Sequence, residues 1–417
     1  MQYIKRIAEQ ELSRKLSASG AVLIKGPKSC GKTEMAKQFA ESILQVDKDE
    51  RVEAAMSIDP LRLLAGGTPR LIDEWQLQPK LWNYIRHEVD DRQKKGQFIL
   101  TGSANPEEQA NLHSGTGRFT IIKMHTMSWQ EMVFSTGKIS MEKLLSGEAQ
   151  STVDYGIDVE VIIERMLKGG WPALLNISLE DAIEINQAYV DLLAEVDMSR
   201  VSNVKRDPVK VKILLKAIAR NIATLVENTT LEKDIKSKET DTLSRPTLVD
   251  YLDALERLMI FEEQPAFGMH IRSANSLRKS PKRHFCDVSL AAAVLGLDKQ
   301  ALLNDLKYCG FLFESLVYHE LKVYAQANNA EVFHYKDSTD LEIDAIVQKR
   351  NGDWAAFEVK LGTGQIENAA KNLLHFNSII DATKSNLPKS LNIITGTGMS
   401  YRRADGINVI SLASLGK

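Results

Sequence analysis

Cysteine is scarce in this chain: Cys30, Cys286 and Cys309 are the only three among 417 residues, far apart and with no histidine at metal-ligand spacing. That excludes a disulfide framework and a Cys/His zinc site. Charge of one sign is lacking as well. With 53 Lys and Arg against 55 Asp and Glu the formal net charge is −2, so nothing global draws the chain to nucleic acid, and any such binding has to come from a local basic patch. No apolar stretch nears the roughly 20 residues of a membrane-spanning helix. Met1-Gln2-Tyr3-Ile4-Lys5-Arg6 leads into an amphipathic helix and not into a signal-peptide core, so a cytoplasmic protein without a membrane partner is expected. Repeats and low-complexity tracts are missing too. What remains is an ordinary globular composition, 43% apolar and 26% charged, in a chain long enough for two to four domains at roughly 100–200 residues each.

The most informative stretch is Gly26-Pro27-Lys28-Ser29-Cys30-Gly31-Lys32-Thr33, a complete G-x-x-x-x-G-K-[ST] pattern. The apolar run 21–24 before it suits a buried parallel strand. Over 33–44, Met35, Ala36, Phe39, Ala40 and Ile43 recur at helical spacing. Strand, glycine loop and helix thus follow in the order that a phosphate-binding loop needs. Gly26 and Gly31 let successive backbone N–H groups turn inward on a phosphate. Lys32 is expected to reach the β- and γ-phosphates of ATP, and Thr33 to set its hydroxyl on Mg²⁺.

Segment 53–59 reads as a second strand, closed by Pro60. In Leu71-Ile72-Asp73-Glu74 an apolar strand end meets two acids. After a phosphate loop this pattern assigns Asp73 to the Mg²⁺ shell and Glu74 to the attacking water. Segment 81–89 is expected to be helical. The strand expected over 97–103 ends in small polar residues, which makes Ser103 the candidate γ-phosphate sensor and Thr101 the second choice, with plain turn chemistry as the alternative. Arg118, on the glycine-flanked loop Gly115-Thr116-Gly117-Arg118, is a candidate for meeting transition-state charge in its own subunit or a neighbour's. A structural salt bridge is the alternative reading there.

Together Gly26 to Thr33, Leu71-Ile72-Asp73-Glu74, Ile99-Leu100-Thr101-Gly102-Ser103 and Gly117-Arg118 resemble the AAA-type (AAA_14) ATPase of bacterial and archaeal proteins with a DUF4143 C-terminal region. Met127-Ser128-Trp129-Gln130-Glu131-Met132, Gly169-Gly170-Trp171-Pro172 and Phe285-Cys286-Asp287 fit the same pattern. The resemblance covers nearly the whole chain and implies a P-loop α/β fold, with a parallel-sheet ATPase domain over 1–150 and a helical lid or connector over 151–205. Helices expected over 209–226, 231–238 and 245–259, with a wing strand at 260–264, give a winged-helix-like domain over 206–268. The last of these helices displays Asp250, Asp253 and Glu256, a poor face for tracking phosphates. Arg272, Arg278, Lys279, Lys282 and Arg283 then form a basic run without an acid. It suits either a phosphate backbone or a solvated loop.

In the remaining stretch, 269–417, Glu314 lies on an amphipathic helix, Asp344 on a strand, and Glu358-Val359-Lys360 on the next strand, across a turn at 350–353. Alternation puts Glu358 and Lys360 on one face, within reach of Asp344. Two carboxylates and a lysine in that arrangement suit a divalent ion at Asp344 and Glu358 and an activated water. The order resembles the PD-(D/E)xK nucleases and implies a restriction-endonuclease-like α/β domain acting on DNA, with Glu314, Asp344, Glu358 and Lys360 as catalytic residues. A buried ion-pair network is the other reading. The expected function is ATP hydrolysis coupled to this domain, which cuts or grips DNA. The alternatives are a nucleotide-gated module with an inert nuclease-like domain, bound to a protein partner or a second copy, and a defence component needing other subunits.

Overall fold

The structure is a computed structural model. It describes residues 3–102, 115–150, 152, 156–201, 204–239, 241–268, 280–383 and 385–417. Helix α1 (Glu9–Ala18) leads into β1 (Ala21–Lys25), whose first four residues are buried because sheet neighbours and helices cover both faces. There follow α2 (Lys32–Lys37), β2 (Ser42–Gln45), α3 (Arg51–Ile58), β3 (Arg70–Asp73), α4 (Leu81–Arg92), β4 (Phe98–Gly102) and β5 (Phe119–Lys123). The five strands form one sheet in the order β2-β3-β4-β1-β5, parallel throughout. The C-terminal ends of β1, β3 and β4 therefore share one edge.

Two expected elements are corrected here. The helix predicted over 33–44 stops at Lys37, because Leu44 aligns with Ile72 and buries its side chain in the sheet core. The second strand is therefore β2, and 53–59 is mostly the helix α3. There Ile58 is 85% exposed and only Val52 is buried, a one-sided burial that an inner strand does not have.

Beyond β5 the chain crosses into the second half sooner than expected. Trp129 joins the large core shared with the later helices, and β6 (Ile139–Ser140) pairs with residues near the end of the chain. Residues 139–146, within the expected 1–150 domain, thus pack with strands of the C-terminal part. Next come α5 (Met141–Ser146), α6 (Val159–Lys168) and α7 (Leu179–Leu192), the last capped by Ser178. A π-helical turn, Leu193–Asp197, and α8 (Met198–Arg200) follow. Helices α9 (Pro208–Arg220), α10 (Asn228–Lys238) and α11 (Arg245–Arg257) stand where three helices were expected, and Ser244 caps the last.

Strand β7 (Phe261–Gln264) pairs antiparallel with β8 (Lys282–Phe285), Gln264 opposite Lys282. The expected boundary at 268 lies between these two paired strands. Helices α12 (Val288–Leu295), α13 (Lys299–Asn304) and the 22-residue α14 (Leu306–Ala327) lead to β9 (Ala330–Lys336), β10 (Glu342–Lys349) and β11 (Trp354–Lys360). Then α15 (Ile366–Ser378) precedes β12 (Leu391–Thr395), β13 (Tyr401–Arg402), β14 (Asn408–Ser411) and β15 (Leu415–Gly416). The mixed sheet runs β13-β14-β12-β11-β10-β9, while β15 pairs with β6.

Candidate functional site

At the end of β1 the backbone packs so closely that a Cβ on Gly26 would lie 2.3 Å from the Met124 carbonyl. Gly31 has φ +100°, a left-handed conformation open to glycine at no steric cost. The loop between them wraps the Lys32 side chain, whose Nζ donates to the carbonyls of Gly26 (2.9 Å) and Pro27 (2.8 Å). Thr33 Oγ1 donates to Asp73 Oδ1 at 2.8 Å, and Thr101 Oγ1 donates to the same oxygen at 2.5 Å. Sheet order brings this about, since β4 lies between β1 and β3 and aligns Thr101 with both Ile24 and Asp73. Asp73 is buried, and its neighbour Glu74 adopts a left-handed backbone (φ +54°) with its carboxylate bound by Gln76. A hydroxyl and a carboxylate side by side are hard oxygen donors, the set that fits Mg²⁺.

Of the other residues expected here, Ser103 lies outside the described residues, and the second choice, Thr101, is the one that touches Asp73. Arg118 is not brought to the loop. Its carbonyl accepts from Ala21 N at the start of β1, the opposite end of the sheet, and its Nε donates to Asp90 at 2.9 Å. Within its own chain it makes a structural salt bridge. Sequence reasoning missed three supports of the loop. Arg6 Nη1 donates to the Cys30 carbonyl at 2.7 Å while its Nε binds Glu131 at 3.0 Å, and Lys28 pairs with Asp197 of the π-helical turn. No short motif marks Arg6 or Asp197, and the sequence does not show that Glu131 and Lys28, which do lie in motifs, are their partners. Beside Gly31 opens a mostly apolar recess of about 120 Å³ lined by Tyr3, Ile4, Met127, Pro172 and Leu175, with Arg6 and Glu34 also on its walls.

The second constellation is also assembled. Glu314 comes from α14, Glu342 and Asp344 from β10, and Glu358 and Lys360 from β11. Lys360 Nζ bridges Glu358 (2.8 Å) and Asp344 (3.3 Å). Asp344 Oδ2 accepts from Val359 N at 2.8 Å, and Asn372 Nδ2 donates to Glu358 at 2.6 Å. At the centre stands a residue that the sequence placed elsewhere. Lys282 Nζ lies 2.7 Å from Glu314, 2.7 Å from Glu342 and 3.5 Å from Asp344. The expected basic loop is thus corrected at both of its described cations. Lys282 is 1% exposed, and Arg283 is also buried, bound to Asn228 and Glu263. The remaining three, Arg272, Arg278 and Lys279, lie outside the described residues. The missed signal is the pairing of Glu262–Gln264 with 282–284, which makes 282–285 a buried strand of a two-stranded sheet.

Burial, followed by the nearby Asp344 charge, pushes the Glu358 carboxyl up to about 8. Burial likewise pushes Glu314 up to about 7. Asp344 goes the other way: burial opposes ionisation, but Lys282, Lys360 and the Val359 N–H hold it below the usual carboxylate range. A divalent ion at Asp344 and Glu358 does not fit this arrangement. Those two carboxylates already share Lys360, Lys282 fills the adjoining position, and among the described residues no group of three His, Cys, Asp or Glu is placed to hold a metal ion.

Residues 18–133 match the AAA domain family, 159–301 a domain of unknown function (DUF8612), and 309–415 a domain of unknown function (DUF4143). The chain is similar to the uncharacterized proteins Rv2008c of Mycobacterium tuberculosis and Mb2031c of Mycobacterium bovis. Each is 23% identical over 361 residues, covering 85% of this chain and 74% of the relative. Among solved structures it resembles the Walker-type ATPase PABY2304 of Pyrococcus abyssi, at 13% identity and a TM-score of 0.43 over 69% of this chain and 94% of that one. The phosphate loop and the acidic strand end thus lie within the segment similar to the AAA domain family, and Glu314, Asp344, Glu358 and Lys360 within the segment similar to the DUF4143 family.

Proposed function

We propose that the protein binds ATP at Gly26 to Thr33, hydrolyses it, and uses the nucleotide state to move its C-terminal half. The observation that carries this is the meeting of Thr33 and Thr101 on one oxygen of Asp73. Thr33 and Asp73 would hold Mg²⁺, which supplies charge neutralisation at the phosphates. Lys32 exchanges its loop carbonyls for phosphate oxygens, the loop N–H groups orient the chain of phosphates, and Glu74 orients the attacking water and takes its proton. The apolar recess beside Gly31 suits the adenine ring. Lys32→Ala is expected to lower ATP turnover by on the order of 100-fold or more, the scale of losing one preorganised transition-state contact. Undiminished turnover in the folded variant would sink the assignment.

For the C-terminal domain, the burial of Lys282 among the carboxylates favours a nucleotide-gated module that grips a partner without cutting it over Mg²⁺-dependent DNA cleavage. Purified protein with ATP and Mg²⁺ or Mn²⁺ is expected to leave linear and branched DNA intact. Cleavage that Asp344→Ala abolishes would restore the nuclease reading, with Glu314, Asp344, Glu358 and Lys360 in catalytic roles.

A further inference from the structure

The carboxylate cluster is not part of a sealed core. It lines a cleft of about 520 Å³, with Lys336, Phe311 and Asn372 on the same walls, so small ions reach it from solvent. Glu314, Glu342 and Asp344 point oxygens at one spot from a helix and a strand, a convergence of like charge that needs a cation at its focus. An ammonium has three hydrogens to donate, and here three carboxylates surround one ammonium at 2.7, 2.7 and 3.5 Å. Calcium and magnesium demand oxygens at about 2.0–2.6 Å and more of them. The contacts present are those of an ammonium held by carboxylates, and it occupies the point on which their oxygens converge.

What delivers this lysine is the β7–β8 hairpin, which is fastened on both sides. Gln264, opposite Lys282, donates to the carbonyls of Phe333 and Asp344 at 2.9 Å each. Glu262 on the same strand is paired with Lys123 at the end of β5 and with Lys322 of α14. We propose that Lys282 is the resident cation of the cluster, a side chain standing where a divalent ion would otherwise bind, so that the site takes no divalent metal while the hairpin is docked. The inference rests on the same geometry as the non-cutting output. Its readout is metal binding and not cleavage, so the two fail separately.

The test is a titration of the nucleotide-free 417-residue chain with Mn²⁺, followed by calorimetry and by the electron paramagnetic resonance of free Mn²⁺. Wild type is expected to show no site sensitive to Asp344→Asn up to about 1 mM, the weak end of protein divalent-ion affinities. Lys282→Met is expected to gain one Mn²⁺ site, at least tenfold tighter than any wild-type binding, that disappears in Lys282→Met with Asp344→Asn. A wild-type site lost on Asp344→Asn would overturn the proposal, and so would a folded Lys282→Met that gains no site. Should Lys282→Met fail to give a cooperative melt, the comparison of wild type with Asp344→Asn decides alone.

Discussion

Single carboxylates behave differently at the two sites, and the cause is what each one faces. Asp73 accepts two neutral hydroxyls on one oxygen, an arrangement that leaves its charge available to a cation. Glu358 is 3% exposed and lies beside Asp344, so burial and like charge raise it to about 8. In the unfolded chain the same carboxyl titrates near 4.5. Between those values the folded chain binds a proton that the unfolded chain has lost, so stability falls as pH rises from about 4.5 to 8. Glu314, raised to about 7, contributes in the same direction. The melting temperature is therefore expected to decline from pH 6 to pH 9, and Glu358→Gln, neutral throughout, to flatten the decline. A variant slope as steep as wild type by calorimetry would rule out Glu358 as its source.

Among the elements, α14 links the two halves. Its Glu314 enters the carboxylate cluster, while one and a half turns on, His319 Nε2 meets Thr126 Oγ1 at 3.0 Å. Glu320, 1% exposed, accepts from Trp129 N at 3.0 Å and from the Tyr324 hydroxyl at 2.6 Å. Removing that acceptor orphans two buried donors at about 1–3 kcal/mol each. Glu320→Ala is expected to lose at least about 2 kcal/mol in urea unfolding, and Glu320→Gln, which keeps an oxygen, to lose less. Equal losses would mean that packing and not the hydrogen bonds sets the cost. Legibility differed among elements for physical reasons. Strands β1, β3, β4, β10 and β11 were readable as apolar runs or alternations bounded by turns. Strand β2 was not, since Ile43 also fits a helical period and only its pairing with β3 decides. Lys282 was misplaced because a strand that buries its cations among distant acids has the composition of a basic loop. The phosphate loop was legible from local spacing, Glu358 and Lys360 from strand alternation with Asp344 on the preceding strand, and Asp73 and Glu314 from the family resemblances; Arg6, Asp197, Lys282 and Glu342 depend on tertiary folding.

At the scale of the whole molecule, the described residues tie the N-terminal parallel-sheet part to the rest. Residues 124–135 pass from β5 into the large core, where Glu131 binds Arg6 and the Ser128 backbone while Trp129 packs with the later helices. The chain then ties back on itself. Strand β15 pairs with β6, Ser135 donates to the Leu415 carbonyl at 2.5 Å, and Lys417 N donates to Gln130 at 3.0 Å. Shared elements of this kind are expected to make the two halves unfold as one cooperative unit. A ligand that binds only the folded chain stabilises by RT ln(1 + [L]/Kd), about 2.7 kcal/mol at 100 times Kd. A non-hydrolysable ATP analogue with Mg²⁺ is therefore expected to raise one common transition and to slow amide exchange in β11 and α14 as well as in β1. Two calorimetric transitions with only the first shifted, and exchange in β11 unchanged, would show that the nucleotide site and the carboxylate cluster belong to independent folding units.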